Sequence, residues 1–117
     1  MKRVLIVDDG AFMRTLIKSM LTKNGFEVVG EAEDGISALQ KYIELKPDIV
    51  TMDITMPNKD GLSALKEILE YDENAAVYMV SALGQNNIVK EAIIAGARGF
   101  VVKPFDESGL MTVIGEV

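Results

Sequence analysis

The sequence predicts an alternating α/β fold: a doubly wound, all-parallel sheet with helices on both faces. Three observations predict it. Short apolar runs alternate about five times with apolar stripes at helical spacing along the 117 residues. The connections between them are short, as in strand–helix–strand units. The strand-like runs also lack polar alternation, which is the pattern of strands covered on both sides.

Each element follows in order. Arg3–Val7 is a continuous apolar strand that stops at Asp8-Asp9. Phe12, Met13, Leu16, Ile17, Met20 and Leu21 recur at helical spacing, and Asn24-Gly25 ends that helix because both residues tolerate a left-handed backbone. A second strand covers Phe26–Glu31. Asp34-Gly35 turns the chain into a helix with Ile36, Leu39 and Ile43 on its apolar face, and Lys46-Pro47-Asp48 stops it. The third strand starts at Ile49, is rich in β-branched residues, and runs out through Asp53 to Pro57. After the polar loop Asn58–Gly61, a helix shows Leu62, Leu65, Ile68 and Leu69, and Tyr71–Asn74 breaks it. Ala76–Val80 is the fourth strand, ending at Ser81. Ile88, Val89, Ala92 and Ile93 mark the next helix, closed by Gly96. Gly99–Val102 is a short fifth strand ending at Lys103-Pro104, and Leu110, Val113, Ile114 and Val117 mark the last helix.

Composition narrows the chemistry. The length suits a single domain over 1–117 with its own core. At 49% hydrophobic residues the chain is not of the disordered class. No apolar run reaches the length of a membrane span, and the N-terminus has no signal-peptide core. Cysteine is absent, which excludes thiol chemistry and fits a cytoplasmic protein. Histidine is absent too, removing the commonest general base and zinc ligand. With 18 acidic against 12 basic residues, net −6 and no basic block, the chain is expected to bind neither nucleic acid nor membrane, but proteins and divalent cations.

In an open parallel sheet, ligands bind beyond the carboxyl ends of the strands. Here those ends carry Asp8-Asp9, Asp53, Ser81 and Lys103, from the first, third, fourth and fifth strands. A sheet ordered 2-1-3-4-5 makes those four strands neighbours and puts the crevice between the first and third. Each residue has a plainer reading. Asp8 and Asp9 could cap the first helix. Asp53 could begin a turn and Ser81 could be a loop hydroxyl. Lys103 could be a solvated cation. Their coincidence on one rim favours a site. Carboxylates about 4 Å apart repel by roughly 4 kcal/mol per pair at an effective dielectric near 20. A hard cation such as Mg²⁺ resolves that repulsion. A carboxylate nucleophile, a hard cation, a lysine and a hydroxyl donor together suit phosphoryl transfer to Asp53.

Val7-Asp8-Asp9, Met52-Asp53-Ile54-Thr55-Met56-Pro57, Ser81-Ala82 and Lys103-Pro104-Phe105 resemble the receiver domain of two-component response regulators over essentially the whole chain. The segments from Asp8 to Arg14 and from Gly99 to Phe105 look most like the single-domain chemotaxis members. The 2-1-3-4-5 order is that flavodoxin-like family's established one. The resemblance implies that Asp53 accepts a phosphoryl group from a histidine kinase. It implies Mg²⁺ held by Asp9, Asp53 and the Thr55 backbone carbonyl, with Asp8 acting through water. Lys103 would pair with the phosphoryl group, and the Lys103-Pro104 bond would be cis. Ser81 would shift toward the phosphoryl oxygens and Phe100 would rotate into the vacated space. Phe100 stands where many chemotaxis members have tyrosine and offers no hydroxyl; its plainer reading is a static core aromatic. The implied output surface is the fourth helix, fifth strand and fifth helix, facing a partner such as the flagellar motor switch. A phosphatase is a further candidate partner, and the chain would be a monomer without enzymatic activity beyond its own phosphorylation and dephosphorylation. Receivers of phosphorelays, transcription factors and methylesterases share these motifs.

Two rivals fit less well. Aspartate-nucleophile phosphohydrolases resemble Asp-x-Asp at the nucleophile, and position 55 here is Thr. Gly30–Ser37 has the glycine spacing of a phosphate loop, but Ile36 replaces its lysine and acidic residues line it.

Overall fold

A computed structural model describes residues 1–115. Five strands and five helices alternate: β1 (Arg3–Val7), α1 (Ala11–Lys23), β2 (Glu27–Ala32), α2 (Gly35–Leu45), β3 (Ile49–Asp53), α3 (Gly61–Tyr71), β4 (Val77–Ser81), α4 (Asn86–Ala95), β5 (Gly99–Val102) and α5 (Glu107–Ile114). The strands form one sheet in the order β2-β1-β3-β4-β5. Every neighbouring pair is parallel. This is the expected doubly wound, flavodoxin-like arrangement. Val117, expected on the last helix, lies outside the described residues.

Successive side chains of a strand point to opposite faces, so a strand covered twice is apolar throughout. In β1, Leu5 and Val7 enter a core with Ala38, Tyr42, Leu65 and Ile68 of α2 and α3, which Val89 and Ala92 of α4 extend. Val4 and Ile6 enter the opposite core, with Ile17 and Leu21 of α1 and Leu110 and Ile114 of α5. The sheet thus has α2, α3 and α4 on one face and α1 and α5 on the other.

Boundaries and faces differ from expectation in a few places. β2 begins at Glu27, because the Phe26 N–H donates to the Leu21 carbonyl at 3.1 Å and closes α1. β4 is shifted by one residue and includes Ser81. On α2 the apolar face is Ala38 and Tyr42, with Leu39 beside them, while Ile36 and Ile43 are exposed. Phe12 is exposed as well, at the start of α1.

Capping separates the helices. Asp34, Asp60 and Asp106 cap α2, α3 and α5, each accepting a hydrogen bond from the backbone N–H three residues on. Hydrogen bonds from the Ser37 N–H, first among the causes, and from the Asn58 side chain hold the Asp34 carboxyl below its usual range. α1 is capped by Gly10 with no side-chain bond and no acidic residue in its first turn. Asp8 accepts from the N–H of this N-cap residue, and among the described residues neither Asp8 nor Asp9 caps an N–H inside α1. Among the described residues, no helix is long and apolar enough to cross a membrane.

Candidate phosphoacceptor and metal site

The sheet register brings the strand ends together. Val7 pairs with Met52, Asp53 with Val80, and Ser81 with Val102. Backbone bonds extend the ladder outward: Ile54 N–H donates to the Val80 carbonyl at 3.1 Å and Lys103 N–H to the Ser81 carbonyl at 2.7 Å. Residues 8, 53, 81 and 103 share one rim as a result.

Carboxylate oxygens of Asp8, Asp9 and Asp53 lie within 4.8 Å of one another. Asp8 is 2% exposed and Asp53 6%, whereas Asp9 faces solvent. Both Asp8 oxygens are engaged: Oδ1 accepts from the Gly10 N–H at 2.8 Å, and Oδ2 lies 3.4 Å from Lys103 Nζ. The same ammonium lies 3.5 Å from Asp53 Oδ2. One cation thus faces the two buried acids. Burial raises the Asp53 carboxyl to about 6, and the Asp8 charge adds to the rise. Lys103 opposes it and Asp9 reinforces it more weakly. A buried anion crowded by like charges favours an added cation, and an all-oxygen donor set fits a hard divalent ion such as Mg²⁺.

This account makes Lys103→Met a direct test of the local field. Removing the ammonium should move the Asp53 titration midpoint up by about one pH unit, because an opposing charge at this range shifts a carboxyl by that order. The Asp53 carboxyl carbon signal, followed against pH, reads it; an unmoved midpoint would show that Lys103 does not act on Asp53.

The model of the response regulator receiver domain matches residues 4–115 of this sequence. The chain belongs to the response regulator receiver domain family. Among the relatives of this receiver domain, the chemotaxis protein CheY of Thermotoga maritima is 56% identical over 116 residues, spanning 99% of this chain and 97% of that protein. Bacillus subtilis CheY is also 56% identical, over 97% of this chain and 95% of its own. A solved CheX–CheY–BeF3–Mg complex from Borrelia burgdorferi superposes with a TM-score of 0.94 at 42% identity, covering 98% of this chain and 87% of that one. The receiver domain is thus CheY-like, of the chemotaxis class, and such domains are signalling proteins and not classical enzymes.

The remaining candidate residues of the receiver domain take distinct places. Ser81 is fully buried, and its hydroxyl finds no hydrogen-bond partner among the described residues. It is the last residue of β4 and not a loop hydroxyl. The Lys103-Pro104 bond is cis. Thr55 is exposed two residues beyond Asp53, with its hydroxyl accepting from Gln85 Nε2 at 2.9 Å. Phe100 is 43% exposed, so it is not a core aromatic; it borders a shallow apolar depression against Val89, Ile93 and Ile94 of α4.

Sequence reasoning passed over two residues at the rim. Arg14 Nη1 donates to the Asp8 carbonyl at 2.6 Å and Nε pairs with Glu31 at 2.9 Å, bracing the corner between β1 and α1. Gln85 joins two loops, as described below. An arginine three residues into a helix and a glutamine in a loop carry no periodic signal, so only the folded geometry exposes them.

Proposed function

We propose that this receiver domain, a single unit over 1–117, is a phosphorylation switch in which Asp53 is the phosphoacceptor. The observation that carries the proposal is the convergence of Asp8, Asp9 and Asp53 around Lys103 at one sheet rim. Asp9, Asp53 and the Thr55 backbone carbonyl would hold Mg²⁺, with Asp8 reached through water. The ion would supply positive charge against the equatorial oxygens of the transferring group.

An Asp53 carboxylate oxygen attacks the phosphorus of a kinase phosphohistidine. The new O–P bond forms as the N–P bond breaks, and the imidazole leaves with the bonding pair and takes up a proton. Lys103 lies close enough to both acids to meet the phosphoryl oxygens. Ser81 offers the buried hydroxyl that the new oxygens can satisfy, since an unpaired buried hydroxyl is unfavourable. Motion at Ser81 then biases Phe100 and the face made by α4, β5 and α5, where an output protein such as a motor-switch component docks. The domain acts as a cytoplasmic monomer between a histidine kinase and that output protein, and a phosphatase resets it. Its catalysis is confined to its own phosphorylation and dephosphorylation.

The experiment is incubation with Mg²⁺ and a small acyl phosphate, followed by intact mass measurement. Wild type should gain one phosphoryl group and Asp53→Asn none. Equal modification of the two would overturn the assignment.

A further inference from the structure

The loop from β4 to α4 is Ala82-Leu83-Gly84-Gln85, in which the first three are exposed and Gln85 is half-buried. Gly84 has φ +89, which turns the chain back at little cost for glycine. The turn brings the Gln85 side chain beneath its own loop. Its Oε1 accepts from the Ala82 N–H at 2.6 Å, and its Nε2 donates to Thr55 Oγ1 at 2.9 Å. A primary amide suits this place because it presents an acceptor and a donor at once. Gln85 also stands at the N-cap of α4 but makes no side-chain bond to that helix. One side chain therefore links the residue after Ser81, the residue two beyond Asp53, and the head of α4.

We infer that Gln85 is a positioning residue, a clasp that favours the resting arrangement and that modification of Asp53 must open. The inference rests on Asp53 being the phosphoacceptor. Satisfying the orphan Ser81 hydroxyl on a group at Asp53 displaces the Ser81–Ala82 peptide. The Ala82 N–H cannot follow and keep its bond to a side chain whose other end Thr55 holds. Once open, the clasp releases the head of α4. Because its two hydrogen bonds exist only in the resting state, they oppose the modified state by the net value of such bonds.

The test uses beryllofluoride with Mg²⁺ as an acyl-phosphate mimic on the whole chain, followed by amide NMR. Gln85→Ala should bind the probe about threefold to tenfold more tightly than wild type. Its affinity for Mg²⁺ alone should stay within about twofold. Thr55→Val should give a smaller gain, and the double variant should match Gln85→Ala, since both substitutions open one clasp. The Ala82 amide resonance in Gln85→Ala should move upfield without probe, as an amide that has lost its acceptor does. Gln85→Glu keeps the acceptor for Ala82 while the Thr55 hydroxyl becomes the donor, so its Ala82 resonance should stay near the wild-type position. Probe affinity unchanged or weakened in Gln85→Ala, or full additivity with Thr55→Val, would overturn the clasp. A probe response that survives Asp53→Asn would instead overturn the phosphoacceptor assignment.

Discussion

Lowering the pH from 7 to 5 should weaken Mg²⁺ binding about tenfold, because at the proposed site the ion and a proton would compete for Asp53. With the carboxyl raised to about 6, Asp53 is mostly ionised at pH 7 and mostly protonated at pH 5. The metal-free protein should show the opposite trend in stability. The folded pKa lies above the ordinary value of 3.8, so the folded state binds the proton more tightly than the unfolded chain. The Asp53 contribution is therefore most favourable below 3.8 and is lost as pH rises through about 6. At pH 7 in chelator, Asp53→Asn should be more stable than wild type by on the order of 3 kcal/mol, and that gap should close toward pH 4. Isothermal titration at the two pH values and urea unfolding across the window measure both effects. A gap that is flat with pH would mean that burial and the neighbouring Asp8 charge do not raise the Asp53 carboxyl.

Gly61→Ala should destabilise the domain by about 3 kcal/mol. A Cβ at this position would stand 2.0 Å from the Asp53 carbonyl oxygen and 2.9 Å from Ile54 Cα. Both are backbone atoms, so no flexible side chain can yield. The position cannot retreat easily, because the Gly61 N–H donates to the Ile54 carbonyl at 2.7 Å and Asp60 fixes the start of α3. Relief must come from the chain at Asp53 itself, so Mg²⁺ affinity should fall along with stability. Urea unfolding at constant m-value reads the first effect. A loss below about 1 kcal/mol would show that the α3 entrance is looser than its geometry implies.

The strands and the rim were legible in the sequence because their signals are one-dimensional. A run such as Val4–Val7 is apolar at every position only when both faces are covered, and the residue ending each run falls at the sheet's edge by counting alone. Helix faces were less legible. On α2, size misled: Ile36 and Ile43 suggested the core, yet Ala38 and Tyr42 face it. Tyr42 meets the core through its ring and sends its hydroxyl to Asp72 at 2.7 Å, a division of labour that hydropathy does not register. For Phe100 the plainer reading as a static core aromatic fails in the same way, since the side chain is exposed on the outer strand against α4. Of the site, the charged residues could be read from their places at strand ends. The braces could not: Arg14, Gln85 and the close approach at Gly61 depend on which loops meet after folding.

The sheet order also divides the rim mechanically. Asp8 follows β1 and Asp53 ends β3, both interior strands flanked by neighbours on either side. Lys103 follows β5, a border strand of four residues with a neighbour on one side alone. The acids are thus held by strands bonded along both edges, and the lysine by a strand bonded along one. If Asp53 is the phosphoacceptor, the lysine side is the one with fewer backbone restraints against moving toward the new anion, and a partner seated on that border would register the move.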